Sequence, residues 1–262
     1  MDGLRPHPPR LTHSEGRVIP VGLDRANHPI RNNPSRPTPS PAAIHNAWAT
    51  YLWSDLNRQL PAGYFAEPKV QLGIEIDAAA FEELEYLPSL APVDPGGNGW
   101  VAPAPTQTIP LPILTDVVEV LVFDREGGPR LAGAIELVSP ANKDRADDRD
   151  AFLTKCAAYL QQGLGLAFVD VVTSRRADLH GELLTRFGAE ATRPLDAELV
   201  ATSYRPVDRD GQPSLEIWLE SVKVGEPLPS LPLWLRGSLC LHVDLDATDD
   251  RTCREQRILV HG

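Results

Sequence analysis

The chain has 262 residues, a length that suits one large domain or a domain with a tail. Its formal net charge of −11 argues against broad electrostatic attraction to nucleic acid, although a local basic patch or a metal-mediated contact stays open. The three cysteines form no C-x-x-C pair, the N-terminus has no apolar core of signal-peptide type, and no run of about 18 apolar residues exists. We therefore expect a soluble, cytoplasmic protein with free thiols and no membrane span.

The N-terminal segment differs in composition from the rest of the chain. Residues 1–41 are rich in proline and poor in large apolar side chains, which predicts a flexible arm. The remainder, 42–262, is predicted to be a single α/β domain with its core at about 64–190 and a β-rich C-terminal part. It opens with a helix over Pro41–Leu60, where apolar residues recur at spacings of three and four.

Two less regular stretches follow a first strand. Alternation of apolar and polar residues predicts one strand over Tyr64–Asp77, with Glu67 near its start. Residues 78–85 are predicted to be a short helix or an irregular insertion. The proline-rich stretch 87–112 is predicted to be a long connection.

The centre of the chain carries a predicted hairpin with two carboxylates. Strand-like runs over Val117–Phe123 and Arg130–Val138 flank a Gly-Gly turn at 127–128, which is a strong hairpin signal. In the register that this turn sets, Glu119 faces Glu136 with Cβ atoms about 5 Å apart. Facing carboxylates are unfavourable unless a metal ion, a lysine or a shared proton lies between them.

A crossover follows the hairpin. The pattern predicts a helix over Asp147–Gln162 and then a buried strand over Leu166–Val172, parallel to the strand that carries Glu136. An amphipathic helix over Ala177–Phe187 comes next, and a short terminal helix is predicted over Thr248–Ile258. The predicted fold class is α/β (α+β): a mixed central sheet with a hairpin and a β–α–β crossover, flanked by helices.

Two lysines follow the strand carboxylate. Lys143 lies in the loop after that strand, where the competing interpretations are a solvated residue or a partner for Asp144 and Asp147. Lys155 lies on the following helix and is either a salt-bridge residue or a site residue. Strand carboxylates that hold Mg²⁺, together with a lysine that stabilises developing negative charge, are the groups of a metal-dependent phosphodiesterase.

These residues also carry a resemblance to known proteins. The phrase Ile135–Lys143, then Phe152–Lys155 and the strand end Val169–Val172, resemble the bacterial domain-of-unknown-function family 4058, over about residues 45–259. The same phrase is similar to Uma-type proteins, which have a PD-(D/E)xK core. The resemblance implies a restriction-endonuclease-like fold and brings no established activity.

The resemblance also implies roles for particular residues. Glu136 becomes the acidic residue of the (D/E)xK half and the first metal ligand. In the Uma-type arrangement the lysine has moved to the helix, which points to Lys155, with Lys143 as the other candidate.

The PD half of the pattern is where the sequence departs from the family. Ser89 stands where the nuclease pattern has aspartate, and a hydroxyl is a poor ligand for Mg²⁺. Glu119 and Glu67 are the candidates for the missing charge. The functional hypothesis is a Mg²⁺-dependent phosphodiesterase acting on nucleic acid. The alternative, favoured by Ser89 and the acidic surface, is a catalytically inactive nuclease-like protein used for binding or scaffolding.

Overall fold

The computed structural model describes the backbone of six segments: residues 41–71, 75–82, 100–111, 130–192, 199–236 and 239–258. Residues 41–42, 68–71 and 75–82 are described by their backbone alone. The helices are α1 (Pro41–Gln59), α2 (Ala146–Gln161), α3 (Leu179–Arg186) and α4 (Leu245–Glu255). The strands are β1 (Tyr64–Gln71), β2 (Glu75–Glu82), β3 (Gln107–Pro110), β4 (Arg130–Leu137), β5 (Gly165–Asp170), β6 (Leu199–Arg209), β7 (Gln212–Val222), β8 (Ser230–Trp234) and β9 (Cys240–Asp244). A short 3-10 helix, Ala141–Lys143, lies between β4 and α2.

Seven strands form one mixed sheet in the order β1-β2-β4-β5-β6-β7-β3. β4 and β5 are parallel, and every other neighbouring pair in this sheet is antiparallel. A parallel pair needs a crossover connection, and α2 provides it here. The predicted mixed sheet, flanked by helices and containing a β–α–β crossover, is therefore confirmed. β8 and β9 form a separate antiparallel pair.

Apolar side chains cover both faces of the sheet. α1, β8, β9 and the start of α4 contribute to the cluster on one face, and α2 and α3 to the cluster on the other. Alternation along β4 divides its side chains accordingly: Ile135 and Leu137 join the first cluster, whereas Ala134 and Val138 join the second. β4 and β5 lie in the interior of the sheet, which explains their almost continuous burial.

The helices that periodicity predicts are all present. α1 begins at Pro41 as expected and ends one residue short of Leu60. The other three predicted helices match α2, α3 and α4, with ends that differ by one to three residues. No helix in the described segments is long and apolar enough to cross a membrane.

The prediction of one strand over Tyr64–Asp77 is wrong. The structure has two strands there, β1 and β2, which pair antiparallel with each other. Alternation with a period of two fits one long strand and a pair of strands equally well, so it does not locate the reversal. The alternative of a helix at residues 78–85 is also wrong for 78–82, because pairing with β1 and β4 outweighs the helix propensity of three alanines. The predicted connection 87–112 contains one further strand, β3, which pairs with β7.

The strand that carries Glu136 has different neighbours from those expected. Ala134, for example, pairs with Ala79 of β2 on one edge of β4 and with Leu166 of β5 on the other. Because a strand has only two edges, the predicted hairpin pairing of β4, in which Glu119 faces Glu136, is wrong. Residues 1–40, the run 117–123 and the Gly-Gly turn lie outside the described segments.

Candidate functional site at the carboxyl end of the parallel strands

Glu136 lies near the carboxyl end of β4, on the face that α2 covers. Its neighbours two residues away, Ala134 and Val138, belong to the cluster beneath that helix, so alternation turns Glu136 toward the same side. Its carboxylate Oε2 is 2.7 Å from the ammonium Nζ of Lys155. A strand acid and a helix lysine are therefore in direct contact.

The packing of α2 explains why Lys155 reaches the strand. Phe152 and Cys156 are buried under the helix, and Lys155 lies beside Cys156 at the edge of this apolar stripe. Its ammonium is also 5.3 Å from the centre of the Phe152 ring, which is three residues earlier and therefore on the same side of the helix. The apolar stem is enclosed while the charged end reaches Glu136.

The pair is buried unequally. The side chain of Glu136 is 2% exposed, whereas that of Lys155 is 14% exposed. Phe168, the partner of Glu136 in the parallel register, is fully buried and meets Phe152 edge to face. With little water nearby, the electrostatic interaction between the two charges is strong, and removing either partner would leave a poorly solvated charge.

Lys143 occupies a second buried ion pair at the same end of the sheet. Its Nζ is 2.9 Å and 3.1 Å from the two carboxylate oxygens of Asp170, and the two side chains are 1% and 2% exposed. Asp170 Oδ1 also accepts a hydrogen bond from the backbone of Val172. The interpretation of Lys143 as a solvated residue, or as a partner of Asp144, is therefore wrong.

The loop that carries Lys143 is braced by its own side chains. The backbone N–H and the hydroxyl of Ser139 both donate to Asn142 Oδ1, at 2.8 Å each. Asp144, next to Lys143, instead accepts an exposed hydrogen bond from Arg175 at 3.0 Å. The connection from β4 to α2 is thus tied to the segment around the end of β5 at two points, one buried and one exposed.

The structure does not bring Glu67 to Glu136. Glu67 is exposed on β1, and β1 is two strands from β4, a separation of about 10 Å. Glu119 and Ser89 lie outside the described segments. Among the residues that are described, no group of three His, Cys, Asp or Glu side chains could hold a metal ion.

One acidic residue near the site, Asp77 of β2, was not among the candidates predicted from the sequence. Ala79 pairs with Ala134 and Ala78 with Ile135, and Asp77 is the residue of β2 that precedes this last pair. The available signal is an acid at the end of an alternating run, where the pattern predicts only the end of a strand.

Comparisons with known proteins do not add to this geometry. No family model, no curated protein and no solved structure matches the chain. Its function therefore has to be inferred from the side chains that the fold brings together.

Proposed function

We propose that this chain is a metal-dependent phosphodiesterase of the PD-(D/E)xK type that acts on nucleic acid, with its centre at Glu136 and Lys155. The single observation that carries the proposal is the 2.7 Å contact between Lys155 Nζ and Glu136 Oε2. The order of elements supports it: a helix, two antiparallel strands, a strand with the acid, a helix with the lysine, and a parallel strand. We also propose that the chain is related to the restriction-endonuclease-like proteins and, through the phrase Ile135–Lys143, to family 4058.

The residues at this position fit one Mg²⁺ ion if β2 contributes. Mg²⁺ is commonly held by one or two carboxylates and keeps several of its waters. Glu136 would supply one carboxylate, and the proposal assigns the second to Asp77, which precedes the β2 residue that pairs with Ile135. Such an ion polarises a phosphate oxygen and lowers the pKa of bound water. In this proposal Asp77 is the second carboxylate ligand, a role for which the hydroxyl of Ser89 is poorly suited.

Lys155 is the lysine that this site would use. Its side chain is the more exposed member of the pair with Glu136, so the proposal has an arriving phosphate oxygen approach it. A fixed positive charge in a site with little water stabilises negative charge that develops in the transition state. Lys143 is the poorer candidate because its ammonium is enclosed and already contacts both oxygens of Asp170.

The proposal is tested by titrating Mg²⁺ and Mn²⁺ calorimetrically and by assaying cleavage of single-stranded and double-stranded DNA and RNA. We expect Glu136→Gln and Asp77→Asn to lose both metal binding and cleavage. Lys155→Met should keep metal binding and lose about 100-fold in cleavage, as expected for a removed electrostatic group. Glu67→Gln, an exposed acid on β1, is the matched control and should behave as wild type. Absence of divalent-ion binding together with absence of cleavage would refute the proposal.

A second candidate function is a catalytically inactive protein that keeps this fold for binding or scaffolding. The observation that favours it is the enclosure of Glu136, whose side chain is 2% exposed and whose charge Lys155 already balances. A buried ion pair of this kind can often be replaced by neutral groups without loss of stability. The second candidate therefore predicts that Glu136→Gln/Lys155→Met melts at or above the wild-type temperature, and that wild type shows no heat of Mn²⁺ binding.

A further inference from the structure

The chain uses lysine sparingly and places it unusually. Four lysines occur in the whole sequence, and two of them contact buried carboxylates at the same end of the sheet. Lys155 belongs to the proposed site. Lys143 belongs to the same connection between β4 and β5, but it lies before α2 and contacts Asp170. The Lys143–Asp170 pair is therefore placed where it can influence the geometry of the Lys155–Glu136 pair.

The contact between Lys143 and Asp170 joins the connection to the end of the neighbouring strand. Asp170 is the last residue of β5, and Lys143 is the last residue of the short 3-10 helix. Beside them, the backbone N–H of Val138 donates to the carbonyl oxygen of Val169 at 2.9 Å. The point from which α2 starts is therefore fixed relative to β5 by a buried charge pair.

The position of Lys155 depends on that starting point. α2 begins at Ala146, shortly after Lys143, and Lys155 lies about 14 Å further along the helix axis at 1.5 Å per residue. A helix transmits a shift at its start along its length, whereas Glu136 is held separately by the pairing of β4. The separation of Lys155 Nζ and Glu136 Oε2 therefore responds to movement at Lys143.

We infer that Lys143 is a positioning residue, which acts through Asp170 to fix the start of α2 and so keeps the Lys155 ammonium on Glu136. Any consequence of Lys143 for catalysis rests on the proposed function, whereas its effect on the position of the Lys155 ammonium depends on the fold alone. Lys143 does not touch the reacting groups in this role.

The test measures the reactivity of Lys155 toward an amine-acetylating reagent by peptide mass spectrometry, as a ratio to the exposed Lys223 in the same molecule. The principal variant is Lys143→Met/Asp170→Leu, which removes both charges of the pair, a replacement that is often neutral for stability. Lys143→Met alone is the second variant. Glu136→Gln is the reference variant, because it removes the negative charge that Lys155 contacts directly. All proteins are labelled well below their melting temperatures.

The matched control is Arg175→Met. It breaks the exposed ion pair with Asp144, which joins the same loop to the segment after β5. We expect the Lys155 ratio to rise by at least about threefold in the double variant, since a charge-assisted hydrogen bond accounts for about tenfold or more and a shift of the helix weakens it only in part. Arg175→Met should leave the ratio unchanged.

A purely structural role of Lys143 would lower the melting temperature of the single variant and leave the Lys155 ratio of the folded double variant within threefold of wild type. That result would overturn the inference. The labelling needs neither metal nor nucleic acid, so a protein that cleaves nothing can still show the positional effect. Conversely, an unchanged ratio would leave the proposed phosphodiesterase function standing.

Discussion

The unequal burial of Glu136 and Lys155 predicts that their single substitutions have unequal costs. Lys155→Met keeps the apolar stem of the lysine and removes its charge, which leaves a carboxylate that is 2% exposed. Glu136→Gln keeps the shape of the acid and leaves a lysine whose side chain is 14% exposed. Lys155→Met leaves the more deeply buried of the two charges, that of Glu136, so it should be the less stable variant.

The magnitudes follow from the surroundings of the charge that remains. Removing one partner of a buried charge pair costs about 3–5 kcal/mol, and Lys155→Met should reach the lower part of that range. In Glu136→Gln the amide can still accept a hydrogen bond, and the flexible lysine can move its charge into water, so a loss of about 1–2 kcal/mol is expected. At about 2–4 °C per kcal/mol, these losses lower Tm by roughly 6–12 °C and roughly 2–8 °C respectively.

Differential scanning calorimetry at neutral pH without divalent ions measures both losses. The matched control is the exposed pair of Lys223 and Glu226, where Lys223→Met and Glu226→Gln should each change stability by less than about 0.5 kcal/mol. Equal losses at the two positions of the buried pair, or a larger loss for Glu136→Gln, would refute the reasoning from burial.

Two further predictions concern the packing of the sheet and the surface of α4. A Cβ added at Gly165 would overlap the backbone carbonyl oxygen of Trp234, whereas one added at Gly133 meets the end of a flexible leucine side chain at 2.8 Å. We expect Gly165→Ala to lose about 3 kcal/mol and Gly133→Ala about 1 kcal/mol in urea unfolding, and equal losses would contradict the close approach of the two backbones. At the surface, a hydrogen bond from Arg251 holds the pKa of Glu255 below its ordinary value of 4.5. A lowered folded-state pKa contributes stability above the unfolded-state value that is lost as the pH falls, so the Tm difference between wild type and Glu255→Gln should be present near neutral pH and shrink below pH 4.5; a difference that stays constant with pH would disprove the assignment.

Local patterns in the sequence were sufficient for the helices and for the central crossover. The apolar stripe of α1, the strand containing Glu136, the helix with Lys155 and the buried strand β5 all follow from periods of 3.6 and 2 over a few neighbouring residues. The contact between Lys155 and Glu136 could be anticipated for the same reason, because a strand, a short loop and a helix leave few ways to pack.

Strand pairing and buried charge partners were decided by the tertiary structure. Alternation in the sequence did not reveal that β2 lies beside β4 in place of the preceding run 117–123, since every strand presents the same period of two and pairing depends on distant segments. Nor did it identify Asp170 as the partner of Lys143, because their contact depends on β4 and β5 lying side by side. The sequence by itself therefore determined the order and type of the central elements and named Glu136 and Lys155 as candidate site residues. The neighbours of β4, and with them the candidate second acid Asp77 and the enclosure of Lys143, depend on long-range packing that no local pattern encodes.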